Sequence, residues 1–99
     1  SSFYYLKTLP FEFVKIDGSF INRLADRKDD QVLVKAMGEI ARAFGKRTIA
    51  EQVEDPQALA LLAEYGIDYA QGYFIGRPIP ITDVLEAGSS ANRDAAMSG

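Results

Sequence analysis

Four side chains able to do polar chemistry stand near the ends of three strand-like segments. Phe13-Val14-Lys15-Ile16-Asp17, Thr48-Ile49-Ala50-Glu51-Gln52-Val53-Glu54 and Tyr69-Ala70-Gln71-Gly72-Tyr73 each turn polar where a buried strand would place another apolar residue. Lys15, Glu51, Glu54 and Gln71 are far apart in sequence. Parallel strands joined by helices nevertheless bring such ends to one rim, and in β/α proteins that rim holds ligands and catalysis. Glu51 and Glu54, with two residues between them, repel one another when brought close unless a divalent cation lies between them. A lysine beside them suits a metal-bound water or the charge on a phosphate oxygen, and an amide adds hydrogen bonds without charge. The set points to metal-assisted phosphoryl transfer or hydrolysis, in which an ion turns water into a nucleophile.

Taken one at a time, these signals have plainer readings. Lys-Ile-Asp is also an ordinary strand end with an ion pair, and Glu-Xaa-Xaa-Glu is common on solvated surfaces. Tyr4, Tyr5, Tyr69 and Tyr73 read as packing residues rather than a base-stacking platform. The acidic run from Asp26 to Asp30 reads as a solvated loop, because it lacks the glycine and the glutamate at EF-hand spacing. The joint order of the segments carries the argument.

The bulk of the chain narrows the chemistry further. Its 99 residues make at most one small domain, and 47% hydrophobic with 25% charged residues is ordinary for a globular chain. A net charge of -3 gives no electrostatic footprint for a nucleic-acid backbone. The chain has no cysteine, and hence no disulfide framework or thiolate site. It also has no histidine, which removes Ser-His-Asp catalysis and imidazole-ligated metals. Oxygen donors remain, suited to magnesium, manganese or calcium. Neither a membrane span nor a signal peptide is legible, and the expected setting is the cytoplasm.

The elements that must position these residues follow from periodicity. Ser1-Ser2 caps a short helix carrying Phe3, Leu6 and Leu9, which Pro10 stops; so abrupt a start is read as a cut from a longer chain. The first strand places Phe11, Phe13, Lys15 and Asp17 on one face and Val14 and Ile16 on the other. Ser19 is expected to cap a short helix through Phe20, Ile21 and Leu24. The longest helix runs from about Asp30 to Phe44, with Leu33, Met37, Ile40 and Phe44 as its apolar stripe, Asp29 or Asp30 as N-cap and Gly45 as its stop. A second strand starts at Arg47. Asp55-Pro56 then opens a helix lined by Leu59, Leu62 and Tyr65 that ends at Gly66. The third strand spans about Ile67 to Tyr73, residues 76–80 form a loop, and Thr82 caps a last turn through Val84 and Leu85. Residues 88–99 read as a flexible tail. The expected fold is α/β: three parallel strands with helical crossovers, a partial TIM-like (β/α) barrel over residues 1–87, since closure takes eight strands.

These segments together resemble the C-terminal part of the EAL domain. The resemblance rests on Leu9-Pro10 through Asp17, Ile49-Ala50-Glu51-Gln52-Val53-Glu54 and Tyr69-Ala70-Gln71-Gly72-Tyr73-Phe74-Ile75-Gly76-Arg77-Pro78. It implies a modified TIM barrel that hydrolyses cyclic di-GMP to linear pGpG with two Mg²⁺ or Mn²⁺ ions, in a bacterial cytoplasm. By this resemblance Lys15 contacts the attacking water and Glu51 ligates a metal. Glu54 and Gln71 support the network of metal, water and substrate. Asp17, Gln71 and Arg77 are the expected substrate contacts, and Gln52 stands where the family has glycine. The Glu-Ala-Leu motif, the asparagine and glutamate ligands and the Asp-Asp-Phe-Gly segment are not in this chain. The 99 residues alone are therefore expected to be inactive.

Two other functions compete with a phosphodiesterase fragment: a degenerate module that binds nucleotide or a protein partner without catalysis, and a structural piece whose polar strand ends are satisfied ion pairs. Phe3, Phe13, Val14, Ile49 and Phe74 lie on elements expected to pack against further barrel strands. Apolar area is worth about 25 cal/mol per Å² when covered, so a homodimer or higher oligomer is expected.

Overall fold

The computed structural model describes residues 12–72 and 75–86. Strand β1 (Phe13–Ile16) leads through two 3₁₀ turns to helix α1 (Lys28–Ala43). Strand β2 (Arg47–Ala50), helix α2 (Pro56–Glu64) and strand β3 (Tyr69–Gly72) follow, then strand β4 (Ile75–Pro80) and helix α3 (residues 81–86). The expected opening helix at Ser1–Leu9 and the tail at 88–99 lie outside the described residues.

The sheet order is β1-β2-β3-β4. β1, β2 and β3 are parallel, as expected, with Lys15 level with Ile49, and Ile49 level with Tyr69. Residues 76–80, expected as a loop, instead belong to β4, which pairs antiparallel with β3. Pro78 and Pro80 lack the N–H that a central strand needs, and β4 tolerates them at the sheet edge. The pairing is irregular between Ala70 and Gly72.

One side of the sheet carries the core. Ile16, Ala50 and Ala70 meet Val34 of α1, Ala58 and Leu62 of α2, Ile81 of α3, and Ile21, Leu24 and Ile67 from the connections. Each buried branched side chain contributes roughly 1.5–3 kcal/mol relative to exposure. The stripe expected on α1 is displaced. Its buried residues are Val34, Gly38 and Ala41, while Leu33 is 41% exposed and Val32 62%. Gly38 explains the shift: a β-carbon there would stand 2.9 Å from Ile67 Cδ1. The helix approaches its neighbours through small residues, and the larger ones flank the contact.

Capping also differs from expectation. Helix α1 begins at Lys28 with Arg27 as an N-cap that makes no side-chain capping bond, and Asp29 and Asp30 sit in its first turn, where carboxylates complement the helix dipole. Arg27 Nε lies 3.6 Å from Asp30 Oδ2 and 4.0 Å from Asp29 Oδ1. The turn Gly18–Phe20 is capped by Asp17, not Ser19, and Thr82 lies inside α3 rather than ahead of it. Asp55 caps α2 as expected, accepting from the Gln57 N–H at 3.0 Å, with proline in the first turn. Gly45 and Gly66 end their helices at φ of 69° and 76°, a region that suits glycine. Among the described residues no helix is long and apolar enough to cross a membrane.

Candidate active site

The face of the sheet opposite the helices carries the polar residues. In a parallel sheet, register partners share a face, so Phe13, Lys15, Arg47, Ile49, Tyr69 and Gln71 fall together. Phe13 and Tyr69 meet edge-to-face with centroids 5.6 Å apart, and Arg47 Nη1 donates to the Tyr69 hydroxyl at 3.2 Å. That bond favours the guanidinium and raises the Arg47 pKa. Phe13 is 39% exposed, yet Ile49 is only 5% exposed, so Ile49 departs from its expected place on an uncovered face.

Beyond Ala50 the chain leaves the strand but keeps the ladder. The Glu51 N–H donates to Ile16 O at 3.0 Å and the Val53 N–H to Gln71 O at 2.9 Å. These two bonds stitch the loop after β2 to both neighbouring strands at their C-terminal ends. A hollow of about 420 Å³ opens there, lined by Glu51, Gln52, Glu54, Gln71 and Gly72. The structure thus brings three of the predicted site residues, Glu51, Glu54 and Gln71, to one place. Lys15 is exposed on the same face, one pleat behind Glu51, and is not among the lining residues. Asp17 is exposed at the end of β1, and its Oδ2 accepts from the Ser19 N–H at 2.9 Å. The Ser19 hydroxyl and then its N–H hold the Asp17 carboxyl below its ordinary value. Arg77 is exposed on β4, away from the hollow lining.

Two features of this rim, the close fit at Gly72 and the backbone conformation of Gln52, were not read from sequence. A β-carbon on Gly72 would overlap the Val53 carbonyl oxygen, so only glycine lets the loop carrying Glu51 and Glu54 lie on β3. Gln52 adopts φ 57°, a left-handed conformation that costs a residue with a β-carbon roughly 1–2 kcal/mol. The glycine of the family pattern at this position was the available signal, because glycine takes positive φ freely.

A second hollow, of about 490 Å³, lies at the other end of the strands, lined by Arg47, Gly66, Asp68, Tyr69, Ile81 and Thr82 among others. Its charged groups are already engaged: Arg47 bonds Tyr69, and Asp68 bonds Thr48 of the neighbouring strand. The rim with two carboxylates and two amides is the chemically better equipped.

Residues 1–78 match the family model described as EAL domain. The chain belongs to the EAL domain family. It is 43% identical over 86 residues to the cyclic di-GMP phosphodiesterase PdeB of Shewanella oneidensis, covering 87% of this chain and 10% of that protein. It is 40% identical over 81 residues to the cyclic di-GMP phosphodiesterase PdeA of Borreliella burgdorferi, covering 82% of this chain and 12% of that protein. Among solved structures it resembles the PaMucR phosphodiesterase in complex with c-di-GMP, with a TM-score of 0.70 and 38% identity over 85% of this chain and 34% of that one. It also resembles the EAL domain protein of Listeria monocytogenes, with a TM-score of 0.68 and 35% identity over 90% of this chain and 36% of that one. The chain therefore spans about a tenth of the length of these curated relatives and about a third of the solved chains. The α/β sheet seen here is an arc of the barrel-like EAL fold, with an antiparallel strand at its edge.

Proposed function

We propose that this chain forms one flank of the active site of a cyclic di-GMP phosphodiesterase that yields linear pGpG. The observation that carries this reading is the convergence of Glu51, Glu54 and Gln71 on one hollow, at the rim where the strand bearing Lys15 ends. Two curated relatives bear that activity in their names, and one solved relative is a complex with the nucleotide.

The chain does not by itself fit a pair of divalent ions. Among the described residues no three Asp, Glu, His or Cys side chains are grouped to hold a metal, and hard cations take six or more oxygen ligands. Glu51 and Glu54 offer two carboxylates toward the hollow, and the remaining ligands must come from elsewhere. The chain's own contribution is positional. The Glu51 carboxylate accepts from the attacking water, and the Gln71 amide N–H donates to a phosphodiester oxygen. Lys15 supplies a fixed positive charge on the same face. Asp17, just after β1, and Arg77, on the edge strand β4, serve the substrate, Arg77 by pairing with a phosphate oxygen.

The full-length protein is expected to convert cyclic di-GMP to pGpG with Mn²⁺, while the 99 residues alone show no turnover. Hydrolysis is followed by chromatography of the product. Undiminished turnover in a Glu51→Gln variant would refute the assignment. The isolated chain, with Phe13, Val32 and Leu33 uncovered, is also proposed to form a homodimer or higher oligomer.

A further inference from the structure

Gln52 is the only non-glycine residue with positive φ among the described residues. A strained backbone persists only where its surroundings hold it, and such positions concentrate at functional sites. What holds Gln52 is visible in the packing. Its side chain occupies the space that a side chain on Gly18 would fill: a β-carbon there would overlap Gln52 Oε1 and Cδ, and its Cβ. Gly18 is buried and directly follows Asp17, which caps the turn that Gly18 begins. On the opposite flank, Gly72 receives the Val53 carbonyl in the same way. The loop bearing Glu51 and Glu54 is therefore seated between two glycines, one on the turn after β1 and one at the end of β3. It meets the first through a side chain and the second through its backbone.

We infer that Gln52 is a positioning residue. Its side chain braces the turn after Lys15-Ile16-Asp17 against the loop after β2, and so fixes the Glu51 carboxylate relative to the end of β1. The inference rests on the phosphodiesterase reading for its consequence in catalysis, but the brace itself rests on packing. A glycine at position 52 would relax the backbone and leave the space over Gly18 empty. The left-handed conformation aims the side chain away from the core and across to the neighbouring strand end.

Gly18 does not carry a left-handed φ, so alanine is allowed there by its backbone, and a double-mutant cycle is available. Gly18→Ala, Gln52→Gly and the double variant are made in the full-length protein. Melting temperature, kcat and KM for cyclic di-GMP with Mn²⁺ are then measured. Gly18→Ala forces a methyl into Gln52 and is expected to lower both kcat and melting temperature, with kcat falling by about 10-fold to 100-fold, the scale of an ångström-level misplacement. Gln52→Gly is expected to lower kcat without lowering the melting temperature. In the double variant the alanine methyl fills the vacated space, and kcat should return to within about 3-fold of wild type, a non-additivity expected of residues in contact. KM should stay within about 2-fold throughout, since the brace orients rather than binds.

Effects that simply add, in both kcat and melting temperature, would overturn the inference. Coupling in melting temperature with additive kcat would also overturn it, because the contact would then be packing alone. If the wild-type protein hydrolyses no cyclic di-GMP, the functional reading fails separately. The packing of Gln52 on Gly18 is then decided by the melting temperatures: coupled values support that contact, and additive values sink it.

Discussion

Thr48 and Asp68 hold each other through three hydrogen bonds at the end of the sheet remote from the candidate site. The Thr48 N–H and hydroxyl both donate to Asp68 Oδ2, at 2.9 Å and 3.2 Å, and the Asp68 N–H donates back to Thr48 Oγ1 at 3.0 Å. Thr48 is buried and Asp68 immediately precedes β3. The exchange fixes the register of β2 against β3, and that register places Glu51 beside Gln71. Thr48→Val keeps the shape but leaves the Asp68 N–H without this acceptor. Asp68 itself is exposed, so a loss of about 0.5–1.5 kcal/mol is expected, the usual net worth of a hydrogen bond, read as a lower urea midpoint with an unchanged slope.

Gly72→Ala tests the other constraint on the same register. The added methyl meets the Val53 carbonyl oxygen, which is backbone and has little room to move away. The loop must lift from β3, weakening the Val53 N–H to Gln71 O bond of 2.9 Å. Overpacking of this kind costs about 1–3 kcal/mol. Because the displaced loop carries Glu51 and Glu54, a fall of about 100-fold in kcat is expected as well. An active and equally stable Gly72→Ala protein would show that the loop has another seat.

Lys15 and Gln71 separate two kinds of contribution. Lys15→Met removes a charge but keeps the stem. It is expected to lower kcat by roughly 100-fold to 1,000-fold, the range found when one preorganised electrostatic partner is lost. Gln71→Ala removes an uncharged hydrogen-bonding group from the hollow and should cost less, about 10-fold. Steady-state hydrolysis of cyclic di-GMP by the full-length variants gives the order, and equal losses would argue against the distinction.

The candidate site was legible because its residues break a pattern. Lys15, Glu51 and Gln71 stand where an inward-facing strand position is normally apolar, and the parallel register then brings the strand ends together. The helix boundaries at Asp55, Gly45 and Gly66 were equally readable, since each rests on local backbone chemistry. What escaped the sequence depends on partners. β4 was hidden by Pro78 and Pro80, which exclude a central strand but not an edge. The true contact on α1 was hidden because close approach selects Gly38 and Ala41 over the larger Leu33. Gln52 showed only as a departure from the family's glycine until its φ and its position over Gly18 were known.

Self-association of the isolated chain is expected from what the sheet and α1 leave uncovered. Phe13, Val32 and Leu33 remain 39%, 62% and 41% exposed, on two different elements. Sedimentation of the 99-residue chain should show a dimer or larger species, and Leu33→Lys with Val32→Glu should shift it toward monomer. A monodisperse wild-type monomer would contradict the expectation.

Acid sensitivity should trace in part to Asp17. Its pKa lies below the ordinary 3.8, chiefly because the Ser19 hydroxyl and then the Ser19 N–H donate to the ionised carboxylate, with a small opposing effect of burial. A carboxyl whose pKa is lower in the folded state stabilises that state above its unfolded pKa and loses the contribution as pH falls through the folded value. The difference in urea midpoint between wild type and Asp17→Ala should therefore be constant from about pH 7 to pH 5 and shrink below about pH 4. The carboxylate is fully exposed, so salt should shrink that difference as well. A difference that grew on acidification would mean that Asp17 favours the folded state as a neutral acid, contrary to the bond from the Ser19 N–H at 2.9 Å.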